Sequence, residues 1–122
     1  MDVVNLDRGF DSIEEYWEPT LAGELNGQAV KLAKAQGEFV WHHHEDADEF
    51  FYVHTGELRI ELEARDDVTL EAGEFTIVPR GVEHRPVAET ETEIMLFEPS
   101  GTVNTGNVEG ELTRTDLESL SE

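Results

Sequence analysis

From Leu21 to Glu98 the apolar positions recur every second residue, in short runs broken by turn-forming residues. Leu58, Ile60 and Leu62 alternate with Arg59, Glu61 and Glu63, the pattern of a strand with one buried and one wet face. The same period predicts strands around Leu21–Glu24, Ala29–Ala35, Phe39–His44, Glu49–Thr55, Glu57–Ala64, Asp67–Leu70, Glu74–Val78, His84–Ala88 and Thr92–Glu98. Turn chemistry separates them at Asn26-Gly27, Thr55-Gly56, Arg65-Asp66-Asp67, Ala72-Gly73 and Arg80-Gly81. Short, regularly spaced strands favour an all-β barrel or jelly roll over a helical bundle. At the N-terminal end, Asp11 to Trp17 predicts a short helix with Ser12 and Glu15 as a capping box. Ile13, Tyr16 and Trp17 would form its apolar stripe, plugging or flanking the barrel, and Pro19 its stop. Thr115-Asp116-Leu117-Glu118 predicts a C-terminal helical turn leading into an acidic tail. Gly101 to Asn107 is polar and bounded by glycine, but it lacks the Lys-Ser/Thr pair of a phosphate-binding loop, so it reads as a connector.

Length and composition fit this picture. A chain of 122 residues buries roughly two thirds of its unfolded surface, enough for one domain over residues 1–122. Cysteine is absent, so no disulfide or thiolate chemistry is available. No apolar run approaches the ~20 residues that span a bilayer, and Met1-Asp2-Val3-Val4-Asn5 lacks the pattern of a leader. The expected location is cytoplasmic, with no membrane partner. Charge changes the picture more: 29 acidic residues face 8 basic ones, a net charge of −21. Nucleic acid is excluded as a partner, since no basic patch exists to replace phosphate counterions. An acidic shell over an alternating core resembles proteins of salt-in halophiles, where self-repulsion is screened over a Debye length of ~3 Å at 1 M salt.

The candidate chemistry lies in two segments. The first runs Gly37-Glu38-Phe39-Val40-Trp41-His42-His43-His44-Glu45-Asp46-Ala47-Asp48-Glu49. In extended backbone successive side chains alternate, so His42 and His44 share a face while Trp41 and His43 point the other way. Glu49 follows after a gap long enough for a bend, and its carboxylate can return to the same cavity. A shifted pair, His43 with Glu45, would leave Glu49 without a task. His43 and His54 therefore read as surface or interface histidines. The second segment, Gly73 to His84, is a β-rich run followed by Pro79-Arg80-Gly81 and then His84.

Together the two segments resemble the paired motifs of the cupin superfamily: HxH, a following glutamate, and a histidine after PxG. Gly56 and Gly73 stand at the family's glycine positions. Gly37 sits one residue nearer the first histidine than is usual, and Ala88 stands where many cupins carry asparagine. The resemblance implies a small cupin β-barrel, or double-stranded β-helix, with short terminal helices. It also implies one divalent transition metal per chain on His42, His44, Glu49 and His84. Three nitrogens and one carboxylate suit Mn, Fe, Co, Ni, Cu or Zn alike.

Four protein ligands leave room for a water or a substrate oxygen, which a Lewis acid requires. The expected partner is thus a small molecule, and the leading reading a metal-dependent enzyme on a small oxygenated metabolite, of isomerase, lyase or dioxygenase type. Some small cupins carry a sugar-phosphate isomerase label, which follows the fold more than the site. A phosphosugar also needs cationic clamps. Arg80 and Arg85 are the nearest, and both read first as surface ion-pair formers. No catalytic residue can be assigned, since no further carboxylate is placed in the cavity. The alternative is a non-catalytic metal- or ligand-binding or sensing module, which an apolar lining without a further titratable group would favour. Phe50 and Tyr52 have parity opposite to Glu49, and outward aromatics predict a homodimer.

Overall fold

The computed structural model describes residues 1–120. After a six-residue helix, α1 (Leu6–Asp11), come β1 (Thr20–Leu25), β2 (Gln28–Glu38), β3 (Glu49–Thr55), β4 (Glu57–Leu62), β5 (Val68–Glu71), β6 (Phe75–Val78) and β7 (His84–Pro99). All strand pairs are antiparallel. The 16-residue β7 organises the barrel. Along one edge it pairs with β2 almost throughout, from Gln28↔Pro99 to Glu38↔Val87. Along the other, its first part pairs with β4 and its last part with β3. One strand thus passes between the two sheets of the jelly roll, and β1, β6 and β5 complete the edges.

The predicted alternation decides what lies inside. Phe51 and Val53 of β3, Leu58 and Ile60 of β4, and Ile94 and Leu96 of β7 meet in one buried cluster with Trp17, Ala33, Ala35 and Phe39. Each such large side chain contributes ~1.5–3 kcal/mol of burial. A smaller cluster, Phe10, Ile13 and Leu32, seats α1 on the outer face of the sheet.

Several local expectations are corrected. The N-terminal helix lies at Leu6–Asp11, capped by the Asn5 side chain accepting from Arg8 N–H, and not at Asp11–Trp17. Residues 12–19 instead form a strap along β2, with a Tyr16↔Lys34 bridge and a Trp17 N–H donated to Lys34 O at 2.7 Å. Trp17 takes φ of 62°, and its indole enters the barrel as the stripe had suggested. The expected C-terminal turn is also absent: Glu118 O accepts from Leu21 N–H, and Ser119 bridges Leu21, so β1's open edge captures this segment in extended form. The last residues of the expected tail, 121–122, lie outside the described residues. Phe39–His44 is not a ladder strand, and His84–Ala88 and Thr92–Glu98 are parts of the single strand β7.

Candidate metal centre

Four side chains from three places converge inside the barrel. His42 and His44 follow β2, Glu49 opens β3 and His84 opens β7. The two histidine segments meet directly, with His42 N–H donating to His84 O (3.0 Å) and His84 N–H to His42 O (2.9 Å). All four residues are buried, and their ligand atoms lie within 4.8 Å of one another. His44 Nε2 and His84 Nε2 stand 3.2 and 3.3 Å from Glu49 Oε1.

The backbone sets which ring nitrogens face inward. His42 Nδ1 donates to Val40 O and His84 Nδ1 to Val82 O, each at 2.9 Å. A carbonyl can only accept, so these bonds fix the Nδ1–H tautomer in the neutral rings and leave the Nε2 lone pairs free. Burial, and secondarily the charge of His84, lowers the His42 pKa to about 4, so it is neutral at pH 7, the form that ligates. Burial alone would raise Glu49, but polar contacts from His44, His84 and Glu98 outweigh it and hold the carboxylate well below its usual range. His44 Nε2 is buried with no hydrogen-bond partner, because Glu49 lies off its axis. Buried polar atoms are rarely left so. A divalent metal fits this set: two inward lone pairs, one orphaned nitrogen and an ionised carboxylate.

Beside the cluster is a cavity of about 30 Å³, lined by Trp17, Phe39, Phe51, Ile94 and Leu96 with Asn104, His42 and Glu49 among its polar groups. That volume holds about two waters. Neither Lys nor Arg lines it. Arg80 pairs with exposed Asp48, and Arg85 with Glu61 and Glu38 while lying over Trp41. His43 turns away, its Nδ1 2.8 Å from Glu83 Oε1, as the period-two reading requires. His54 stacks on Phe10 and pairs with exposed Asp7; with Glu93 these form a surface trio.

Sequence reasoning missed a buried lysine–glutamate pair behind Glu49. Lys31 Nζ lies 2.6 Å from Glu98 Oε2, both nearly inaccessible, and also donates to Thr102 O. The register Phe50↔Phe97 sets Glu98 beside Glu49 on the inner face. Burial and the Glu49 charge push Glu98 up to about 9, against the pull of Lys31. The available signal was parity: Lys31 shares the phase of Ala29, Ala33 and Ala35, and Glu98 that of Ile94 and Leu96. Gly37 and Ala88, the two departures from the family pattern, are cross-strand partners at a β2 irregularity.

An antiparallel jelly roll with an inward His-His-Glu-His cluster defines a cupin. Residues 29–99, more than half of the chain, match the cupin domain family model (Cupin_2), and the chain belongs to that family. It is similar to the uncharacterised protein YdbB of Bacillus subtilis (strain 168), 42% identical over 62 residues, which cover 51% of this chain and 55% of that protein. The match thus spans about half the length of that curated relative. Among solved structures, a cupin-2 domain containing protein from Shewanella frigidimarina NCIMB 400 is 43% identical with a TM-score of 0.77, over 80% of this chain and 94% of that one. Protein NMB1881 from Neisseria meningitidis is 29% identical with a TM-score of 0.74, over 81% and 100% respectively.

Proposed function

We propose that this chain is a metal-dependent cupin enzyme acting on a small, uncharged, oxygenated molecule, by oxygen-dependent chemistry of the dioxygenase type in preference to sugar-phosphate isomerisation. The observation that carries this reading is the buried His42–His44–Glu49–His84 cluster opening on an apolar cavity without a cation. When bound, a divalent transition metal supplies a Lewis acid for a substrate oxygen and, if redox-active, the electron exchange that dioxygen chemistry needs. The chain's residues do the rest. His42, His44, Glu49 and His84 hold the ion. Trp17, Phe39 and Phe51 give the cavity an apolar wall that limits water beside the metal site, and Asn104, tied to Leu112 O and Arg114 N–H, completes that wall. Isomerisation of a phosphosugar would need a phosphate clamp and a proton-transferring group at the substrate. The titratable residues lining this cavity are His42 and Glu49, both assigned to the metal.

The same lining supports a second reading, a ligand-binding or sensing module without turnover. Metal analysis by mass spectrometry on tag-free protein, followed by oxygen-uptake assays with small phenols, enols and diketones, separates the two. The expected result is about one metal per chain and oxygen consumption that His84→Ala abolishes. Saturable quenching of tryptophan fluorescence that Trp41→Phe retains, without any consumption, would move the reading to the binding module. Turnover of hexose phosphates in the absence of oxygen would overturn it. Two further features belong to this proposal: a homodimer, supported by exposed Phe75 and Ile77 beside Phe50 on one outer sheet face, and a salt-rich cytoplasm, supported by the net charge of −21.

A further inference from the structure

The segment His42–His44 carries half of the ligand set, yet no strand ladder holds it. Its backbone partners are His84 on one side, through His42, and Gly81 N–H, which donates to His44 O at 2.8 Å. The middle peptide is gripped from elsewhere. Asn107 Oδ1 accepts from His43 N–H at 2.9 Å, and Asn107 N–H donates to His43 O at 3.1 Å. Those two bonds act as a single rung supplied by the loop after β7.

Gly106, with φ of 57°, comes so near that a Cβ there would lie 2.2 Å from His43 O and 3.1 Å from His42 Cδ2, so only glycine allows this approach. The loop is itself well fixed. Thr105, almost fully buried, bonds through Oγ1 to Val108 O and to Thr113 Oγ1, each at 2.7 Å. Asn104 ties Leu112 O and Arg114 N–H, each at 2.8 Å. Thr102 O accepts from Lys31, whose partner Glu98 stands beside Glu49 in the β3–β7 register. One loop therefore grips the histidine pair and, through Lys31, reaches the residue next to the carboxylate.

We propose that this loop, through Gly106 and Asn107, is a positioning clamp that preorganises His42 and His44 for metal. The inference rests on the metal-site reading above. Partners that orient ligands change metal affinity by ~10–100-fold when removed. Asn107→Ala deletes the acceptor for His43 N–H and should weaken Co²⁺ binding, measured by competition with a chelator, about tenfold or more. It should also alter the Co²⁺ visible spectrum, while the metal-free melting temperature moves little. Asn107→Asp keeps an acceptor oxygen and should restore the affinity and spectrum. Gly106→Ala should weaken binding at least as much as Asn107→Ala. Unchanged Co²⁺ affinity and spectrum in folded Asn107→Ala would overturn the clamp while the wild type still binds metal. A wild type that binds no metal, or binds it equally well as His84→Ala, would overturn the metal-site reading and the clamp with it.

Discussion

Acidifying the metal-free protein should cost stability through His42, by an amount the structure sets. This imidazole is 1% exposed, and burial, then the charge of His84, lowers its pKa from 6.5 to about 4. As pH falls below 6.5 the unfolded chain takes up the proton first. The contribution is therefore full above pH 6.5 and is lost as pH falls through the folded value. One proton over that window corresponds to ~1.4 kcal/mol per pH unit and about 3 kcal/mol in all, a sizeable share of the ~5–15 kcal/mol typical of a domain. Glu98 titrates with the opposite sign. Its raised pKa of about 9 gives a contribution present below the ordinary 4.5 and lost as pH rises toward 9. Wild type alone therefore mixes the two, whereas comparison with His42→Gln isolates one. Urea unfolding of both metal-free proteins, in steps from about pH 7.5 to 4, should yield curves that converge by about 3 kcal/mol toward acid. Lost packing against Phe39 and His84 shifts the variant equally at every pH, so only the change in separation counts. Parallel curves would refute a buried neutral imidazole at position 42.

Removing a ligand should cost more than removing an outer partner: His84→Ala should lower metal affinity beyond the ~10–100-fold expected of orienting groups, whereas His43→Ala, whose ring faces Glu83, should retain it. Metal loss from His43→Ala with retention in His42→Ala would reverse the parity argument. Raising salt from low to molar should raise the melting temperature of metal-loaded and metal-free protein alike, since the Debye length falls from ~10 Å at 0.1 M to ~3 Å at 1 M and screens the −21 charge; a flat midpoint would end the halophilic reading. Sedimentation should give the mass of two chains, and Phe75→Glu, at a side chain 60% exposed, should shift the protein toward one. A one-chain mass for wild type across protein concentrations would remove the homodimer.

What the sequence made legible is whatever follows from the alternation of side chains along one segment. His42 and His44 face inward and His43 outward even though residues 39–44 never join a ladder, because extended backbone alone sets that parity. The helix was misplaced for a reason of the opposite kind. Gly9 weakens Leu6–Asp11 as an isolated helix, and in the fold it lies so close to the sheet that a Cβ would come 2.9 Å from Leu32 Cδ1 and push that side chain aside. Asn5 as cap and the Leu6–Phe10 spacing were the signals that remained. Ser12 and Glu15 look like a capping box, but β2's backbone at Lys34 draws Tyr16 and Trp17 into pairing, a tertiary contact that local propensity does not contain. Glu89-Thr90-Glu91 looked like a break for the same reason: the strand continues because β2 supports it across the bend, with these three side chains left in water.

The clamp loop and the Lys31–Glu98 pair belong to that second kind, since each depends on what lies across the barrel. Gly101 to Asn107 has the composition of a connector, and nothing within it points to His43. Its position over the ligand segment arises because β7 ends at Pro99, on the same end of the barrel at which Glu49 opens β3. The chain leaving β7 must turn there, and Thr102 reaches Lys31 within three residues of the strand's end. A loop that follows directly from the strand carrying Glu98 is thus placed to fold over the ligands by topology alone, and its small residues let the backbone come close enough to hold them.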